Sequence, residues 1–393
     1  MSKPSSRNTR LDVIRCIALF FVVAIHFSTR SGFLSEPVDD IPMLIMIIVR
    51  SFFYPCIPLF LFLSGYLLCD HKPTPVYYLR AIRLLFIYLC ASILFICFRS
   101  IYSTDRLSIL NSILGILSYT LLDYGWYTEM YLGLFLLIPF LNVLYHSLSS
   151  KQNKQWLILT FLILTAFPSI LNIYRFDNAL WWGFPSISTT YQKIFPQWWV
   201  SLYPITHYLI GCYLKEYSLP FTPSKNFLLF LSFTIFLSFL NIYRSTNIPF
   251  VPGEWQNWGS AFITVQSIFL FSFLLQLPWE HLPSSAKNIL FHFSNWSFGA
   301  YLISCMYDQI AYAWLIQNVP IIQQRFPYMI IIVPTVFLAS LYTSSLFSLL
   351  YRLTADKFVR QLRLKILCKL DLKNEQEHCN ERSDKPIKNS EDF

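Results

Sequence analysis

Arg15 and His26 stand in one strongly apolar stretch, Leu11-Asp-Val-Ile-Arg-Cys-Ile-Ala-Leu-Phe-Phe-Val-Val-Ala-Ile-His26. Charge inside a membrane-length apolar segment is costly and survives where it has a role. Arg15 and His26 are eleven residues apart, close to three helical turns, so they face the same way, roughly 16 Å apart along the axis. Asp12 lies one turn before Arg15 and joins that face. A neutral imidazole among Val, Ala and Ile can act as a general base, or it can hydrogen-bond a neighbouring helix and simply hold a bundle together. Sharing a face with Arg15 favours the first reading. Arg15 with Asp12 is either a phosphate or carboxylate clamp or an ion pair anchoring a helix end, with the guanidinium snorkelling to headgroups.

Two further groups have the right chemistry. Arg80-Ala-Ile-Arg83 places two guanidinium groups on one helix face, where they would suit a polyphosphate ligand. Topology alone also puts basic residues there. Trp126-Tyr-Thr-Glu129-Met-Tyr131 opens a later apolar run in which Glu129 is the only carboxylate. Glu129 is expected to pair with His26 and orient it or raise its basicity, unless it is an interfacial carboxylate that reaches water. Asp308 and His207 also fall in or near apolar segments, but their spacing ties neither to a reaction. Trp181, Trp182, Tyr191, Phe195, Trp198 and Trp199 crowd one loop; they read as an interfacial aromatic belt before they read as a sugar platform.

The elements that must position these groups are membrane helices. Hydrophobic residues make up 55% of the 393, charged residues only 13%, too little polar surface for a soluble core. The net charge of +9 sits in short blocks between apolar runs, which is no nucleic-acid signature. Ten spans are expected, at about 11–29, 43–69, 80–100, 127–146, 156–174, 200–215, 226–243, 259–277, 289–315 and 328–351. The fold class is thus all-α and polytopic. Ten is even, and Arg10, Arg80, Arg83, Lys151, Lys154, Lys215, Lys225, Lys287 and Arg352 then share a side, so both termini are expected in the cytoplasm. The opposite loops include Arg106, Arg175, Lys193 and Arg244 but fewer positive charges overall. Pro55 and Pro58 should kink the second span.

Residues 1–10 read as a basic cytoplasmic N-terminus, 11–351 as the transmembrane domain, and 352–393 as a basic, then mixed-charge cytoplasmic tail, disordered beyond about Lys369. The first run lacks an Ala-x-Ala-like cleavage site, so it is expected to be retained. The nine cysteines contain no Cys-x-x-Cys pair and suggest neither a metal site nor a disulfide framework. No internal repeat is found, which weakens a reading as an inverted-repeat transporter.

Arg10-Leu-Asp-Val-Ile-Arg15 followed by ten residues and His26 resembles the opening signature of acyltransferase family 3, multi-span membrane enzymes that O-acylate cell-envelope carbohydrates. Phe60-Leu-Phe-Leu-Ser64-Gly65-Tyr66-Leu67 is similar to the family's second segment, and Arg80 with Arg83 to its Arg-x-x-Arg element. Trp126 through Pro139 resembles its tryptophan–glutamate–proline helix, Tyr208-Leu-Ile-Gly211 a later glycine helix, and Ser297-Phe-Gly-Ala-Tyr301-Leu-Ile-Ser304 its penultimate helix. Many members have His where this chain has Ser304, so no role is carried over to that residue.

The resemblance implies a stand-alone O-acyltransferase, multi-pass in a bacterial inner (plasma) membrane, with an acyl-CoA donor, acetyl-CoA foremost, and no metal. Its acceptor would be a hydroxyl of an envelope polysaccharide, lipopolysaccharide or lipid-linked sugar. Arg15, Arg80, Arg83 and Asp12 would hold the donor, His26 and Glu129 would be catalytic, and Trp126 and Tyr127 would line the substrate path. The rival readings are a secondary transporter or flippase, which also needs buried ionisable residues along a pathway, and a membrane sensor or scaffold, which does not need the Arg15–His26 stripe.

Overall fold

Long apolar runs in a bilayer must satisfy their backbone polar groups internally, and helices do so within one segment. A computed structural model describes residues 8–102, 108–173, 192–245 and 248–368, and in them the only strand-like pairing is an isolated bridge between Pro37 and Pro249. The helices of nine or more residues are α1 (Thr9–Arg30), α2 (Ile41–Phe53), α3 (Cys56–Leu68), α4 (Arg80–Tyr102), α5 (Ile109–Leu117), α6 (Trp126–Ser147), α7 (Lys151–Thr165), α8 (Tyr203–Glu216), α9 (Pro223–Ser245), α10 (Ala261–Gln276), α11 (Ser284–Asn318) and α12 (Met329–Thr354). Short polar side chains start several of them: Asn8, Asp40, Ser150 and Ser260 each accept from a backbone N–H of the first turn.

Every expected span contains helix, and seven stretches among the described residues are long and apolar enough to cross a membrane: Thr9–Arg30, Ile41–Leu68, Pro75–Tyr102, Trp126–Ser147, Pro223–Ser245, Glu254–Gln276 and Ile322–Thr354. The expectation of ten is met only to that extent. At 15 and 14 residues, α7 and α8 are short for a crossing, and α11, with 35 residues, is long enough but interrupted by Ser, Asn, Gln and Asp308. Leu136, Leu137 and Phe140 of α6, Ile235 and Phe239 of α9, and Ile330 and Leu338 of α12 are exposed, as a surface against acyl chains requires. An unexpected helix, α5, falls within the loop expected at 101–126. Lys3, Arg7, Arg106, Arg175, Trp181, Trp182, Tyr191 and the tail from Lys369 lie outside the described residues.

Prolines and glycines set how the helices meet. At Pro55 the helical bonding lapses for two residues, so α2 stops at Phe53 and α3 starts at Cys56 within the single stretch Ile41–Leu68, because proline has no N–H and its ring crowds the preceding turn. Pro139 instead stays inside α6. Proline leaves the carbonyl four residues back without its helical donor, and Tyr77 supplies one, its hydroxyl donating to the Phe135 oxygen at 2.8 Å. The Tyr77 ring also stacks on Phe135, with centroids 4.5 Å apart. The turn that leads into α4 is thereby tied to α6. Between α3 and α8 the backbones touch: a Cβ on Gly65 would lie 2.0 Å from the Tyr208 oxygen, and one on Gly211 would lie 2.1 Å from the Phe62 oxygen. Only glycine allows this crossing.

Helix α1 is the most enclosed of the candidate spans, with 72% of its apolar window buried, and packs against α2, α3, α10, α11 and α12. The polar stripe from Asp12 to His26 therefore runs up the inside of the bundle. The ends of the bundle are distinguished below as the amino-terminal end, where α1 begins, and the far end, where it finishes.

Candidate functional site

His26, in the far half of α1, is nearly enclosed, its side chain 14% exposed. Its Nδ1 lies 3.1 Å from Oδ2 of Asp308 on α11, a carboxylate only 1% exposed. The approach is off the direction of a ring N–H, so it is a close electrostatic contact rather than an aligned hydrogen bond. The same Asp308 oxygen accepts a 2.5 Å hydrogen bond from the Tyr124 hydroxyl. The Tyr124 ring lies flat on the imidazole, with centroids 4.0 Å apart and planes within 21°. Asp308 Oδ1 is buried and accepts no hydrogen bond. A buried carboxylate oxygen left unsatisfied beside an imidazole is expensive, and such groups concentrate where chemistry is done.

Tyr124 comes from a loop, and the loop is built to deliver it. Tyr119 turns the chain in the left-handed region at φ 59°, and Gly115 O accepts from the Thr120 and Leu121 N–H groups. Gly125 closes onto the same turn, since a Cβ there would lie 2.2 Å from the Tyr119 oxygen. Arg30, one turn beyond His26, donates to Asp123 at 2.5 Å and lies over the Tyr124 ring at 5.8 Å. The His26–Tyr124–Asp308 group is thus fixed from α1, α11 and the loop before α6 together.

Toward the amino-terminal end a cavity of about 280 Å³ opens, lined by Arg15, Arg80 and Arg83 with Ser64, Tyr127 and Tyr301 among its other walls. Its lining contains no carboxylate, so three guanidinium groups make it an anion trap. Arg15 Nη1 donates to Ser294 Oγ at 2.9 Å, which aims it from α1 across to α11. Arg80 Nη1 lies 2.6 Å from His71 Nε2, and His71 Nδ1 lies 3.3 Å from the Leu68 oxygen. Burial first, and the Arg80 cation second, hold the His71 pKa below its usual value, which keeps Nε2 an acceptor for Arg80. Asn142 of α6 pins that turn by donating to the carbonyls of Leu68 and His71, at 2.8 Å each. Arg83 stands over the Tyr351 ring at 5.9 Å.

Aromatic rings join the two regions. Tyr301 lines the cavity and packs against both Tyr127, at 5.3 Å, and Tyr124, at 5.9 Å. Trp126 lies outside the cavity wall, stacked on Trp258 at 4.8 Å.

The structure brings Arg15, Arg80, Arg83 and Tyr127 to one cavity and leaves other candidates apart. Asp12 is buried but does not line it. The expected pair of His26 with Glu129 is not formed: Glu129 is exposed in the first turn of α6, and the carboxylate at His26 is Asp308. The physical reason is register, since Tyr124, Tyr127 and Thr128 take the inward positions of that stretch and turn Glu129 outward. In the sequence Asp308 stands out only as an acid in or near an apolar segment, with no spacing that ties it to a reaction, and Tyr124 does not stand out at all. For Asp308 the signal was present, as the one carboxylate in α11. For Tyr124 there was none. Among the described residues no group of three or more His, Cys, Asp or Glu side chains is placed to hold a metal ion.

A family model described as an acyltransferase domain, that of acyltransferase family 3, matches residues 8–345. No curated protein and no solved structure matches the chain.

Proposed function

The chain belongs to acyltransferase family 3, and from that premise we propose that it carries an acyl group, acetyl foremost, from cytoplasmic acyl-CoA to a sugar hydroxyl on the other side of a bacterial inner membrane. The acceptor would be an envelope polysaccharide, a lipopolysaccharide or a lipid-linked sugar. The observation that carries the reading is the pairing of an acid-free triple-arginine cavity with a buried His–Asp–Tyr group along the same helix, α1.

In this proposal the termini face the cytoplasm, which the basic residues at the amino-terminal end support. Arg15, Arg80 and Arg83 hold the donor's phosphates, and the pantetheine arm extends past Tyr127 and Tyr301 toward His26. His26 takes the proton from the acceptor hydroxyl as its oxygen attacks the thioester carbonyl. The carbon–sulfur bond breaks, the ester forms, and the imidazolium returns its proton to the departing thiolate, giving free CoA. Asp308, in the role expected of Glu129, stabilises the imidazolium, and Tyr124 keeps both groups in place. An acyl-imidazole intermediate would use the same residues, with His26 as nucleophile.

The test is transfer of labelled acetyl from acetyl-CoA into envelope glycans, using membranes that hold the intact protein or His26→Ala. Label only with the intact protein supports the reading. Equal label from a correctly inserted His26→Ala protein rules out this mechanism, and transport of substrate without consumption of acetyl-CoA would point to a transporter.

A further inference from the structure

A second cavity, of about 760 Å³, lies at the far end between the end of α4, the loop before α6 and the last turns of α11. Its size is within the roughly 300–1,000 Å³ typical of small-ligand sites. Two of its lining residues adjoin the His26 group in the chain: Asp123 precedes Tyr124, and Gln309 follows Asp308. His26, Tyr124 and Asp308 line neither cavity, but Tyr124 touches both linings, packing on Tyr301 of the first and following Asp123 of the second.

The two cavities differ in charge. The first has three arginines and no acid. The second has one arginine, Arg99, and one aspartate, Asp123, and is otherwise lined by neutral groups, including Gln309, Gln317 and Trp314. Gln309, Ala313 and Gln317 recur at every fourth residue and so share one face of α11. Both glutamine side chains are exposed on that face and make no hydrogen bond among the described residues. Unpaired amides near an apolar belt are unfavourable unless water or a polar ligand meets them. Amides offer donor and acceptor together, which suits hydroxyls, and an exposed indole beside them offers a flat apolar platform.

We infer that this far cavity seats the acceptor and that its ligand is an uncharged saccharide ring, gripped by Gln309, Gln317 and Asp123 and flanked by Trp314. A phosphate-bearing headgroup would call for clustered arginines such as the three of the first cavity, whereas this one has a single arginine, Arg99, and an aspartate, Asp123. Calling the ligand an acceptor rests on the acyl-transfer reading; its presence in the cavity does not.

The experiment places the photoreactive residue p-benzoylphenylalanine at position 317, and at Phe140, an exposed position on α6 outside the cavity, in cells producing the full chain. After irradiation the purified protein is examined for covalently attached glycan and lipid. Glycan attached at 317 but not at 140, in both the unaltered and His26→Ala backgrounds, is the expected result. Glycan at neither position, or phospholipid alone at 317, overturns the inference even if labelled acetyl is transferred normally. Glycan at 317 without any acetyl transfer would keep the saccharide site and sink the acyl-transfer reading. A second readout is Trp314→Ala: the acceptor concentration for half-maximal transfer should rise about tenfold with the donor KM unchanged, and an unchanged acceptor dependence counts against the site.

Discussion

Asp308→Asn isolates the charge at the centre of the proposed chemistry. The substitution keeps the shape of the side chain and an oxygen for Tyr124, but removes the negative charge 3.1 Å from His26 Nδ1. An imidazolium formed during transfer would lose an attraction of about 5 kcal/mol at that separation with an effective dielectric constant near 20. The amide dipole recovers part of this, so the barrier should rise by about 4 kcal/mol, or on the order of a thousandfold in kcat. Asp308 lines neither cavity, so donor KM should barely change. The assay is steady-state transfer of labelled acetyl over a range of acetyl-CoA concentrations, with thermal unfolding of the purified protein as the check on folding. A folded Asp308→Asn protein within tenfold of the unaltered kcat, or a loss confined to donor KM, would refute the role given to this carboxylate. Glu129→Gln provides the contrast and should stay close to the unaltered rate.

Arg80→Gln and Arg83→Gln should each raise donor KM about tenfold or more with little change in kcat, the loss expected of a charge-assisted hydrogen bond worth roughly 1.5–3 kcal/mol; unchanged KM in both would remove the arginines from donor binding. Acidification should also raise donor KM. The native pKa of His71 lies below its unfolded value, so the contact with Arg80 is intact above the ordinary histidine range near 6.5 and is lost as pH falls through the lowered native value. His71→Gln, which cannot titrate, should flatten that rise between about pH 7 and pH 5, and an identical pH profile would contradict it. Gly65→Ala should cost about 1–3 kcal/mol of stability through overpacking, read as a lower Tm. Gly133→Ala, in the interior of α6 where an added Cβ meets nothing within 4 Å, should instead leave Tm unchanged or raise it, by up to about 1 kcal/mol of stability.

Periodicity made one half of the site legible and hid the other. Arg15 sits on a regular helix and Arg80 and Arg83 at the start of another, so spacing alone placed them on coherent faces, and they do share a cavity. Asp308 could not be joined to His26 in the same way, because the pairing depends on how α11 packs against α1, which no local pattern encodes. Tyr124 depends on a left-handed Tyr119 and a close approach at Gly125, which are loop features without a period. Glu129 drew attention as the lone acid of its run, but one residue of register decides whether such a side chain faces inward. The spans show the same division. Apolar runs located every helix expected, whereas the lapse at Pro55 and the shortness of α7 and α8 follow from chain breakers and end signals rather than from hydropathy.

The contact of Gly65 with the backbone of α8 has a consequence for engineering the arginine-lined cavity proposed to hold the donor. Gly65 follows Ser64, and α3 also contributes Ile57, Phe60 and Leu63 to the cavity wall. With its other side pressed against the α8 backbone, α3 has no slack to retreat from a bulkier donor. Room for a bulkier nucleotide end of the donor would have to come from elsewhere in the wall, where Leu84 and Ile87 of α4 stand with Arg80 and Arg83. That makes α4 the adjustable jaw of the pocket and α3 the fixed one.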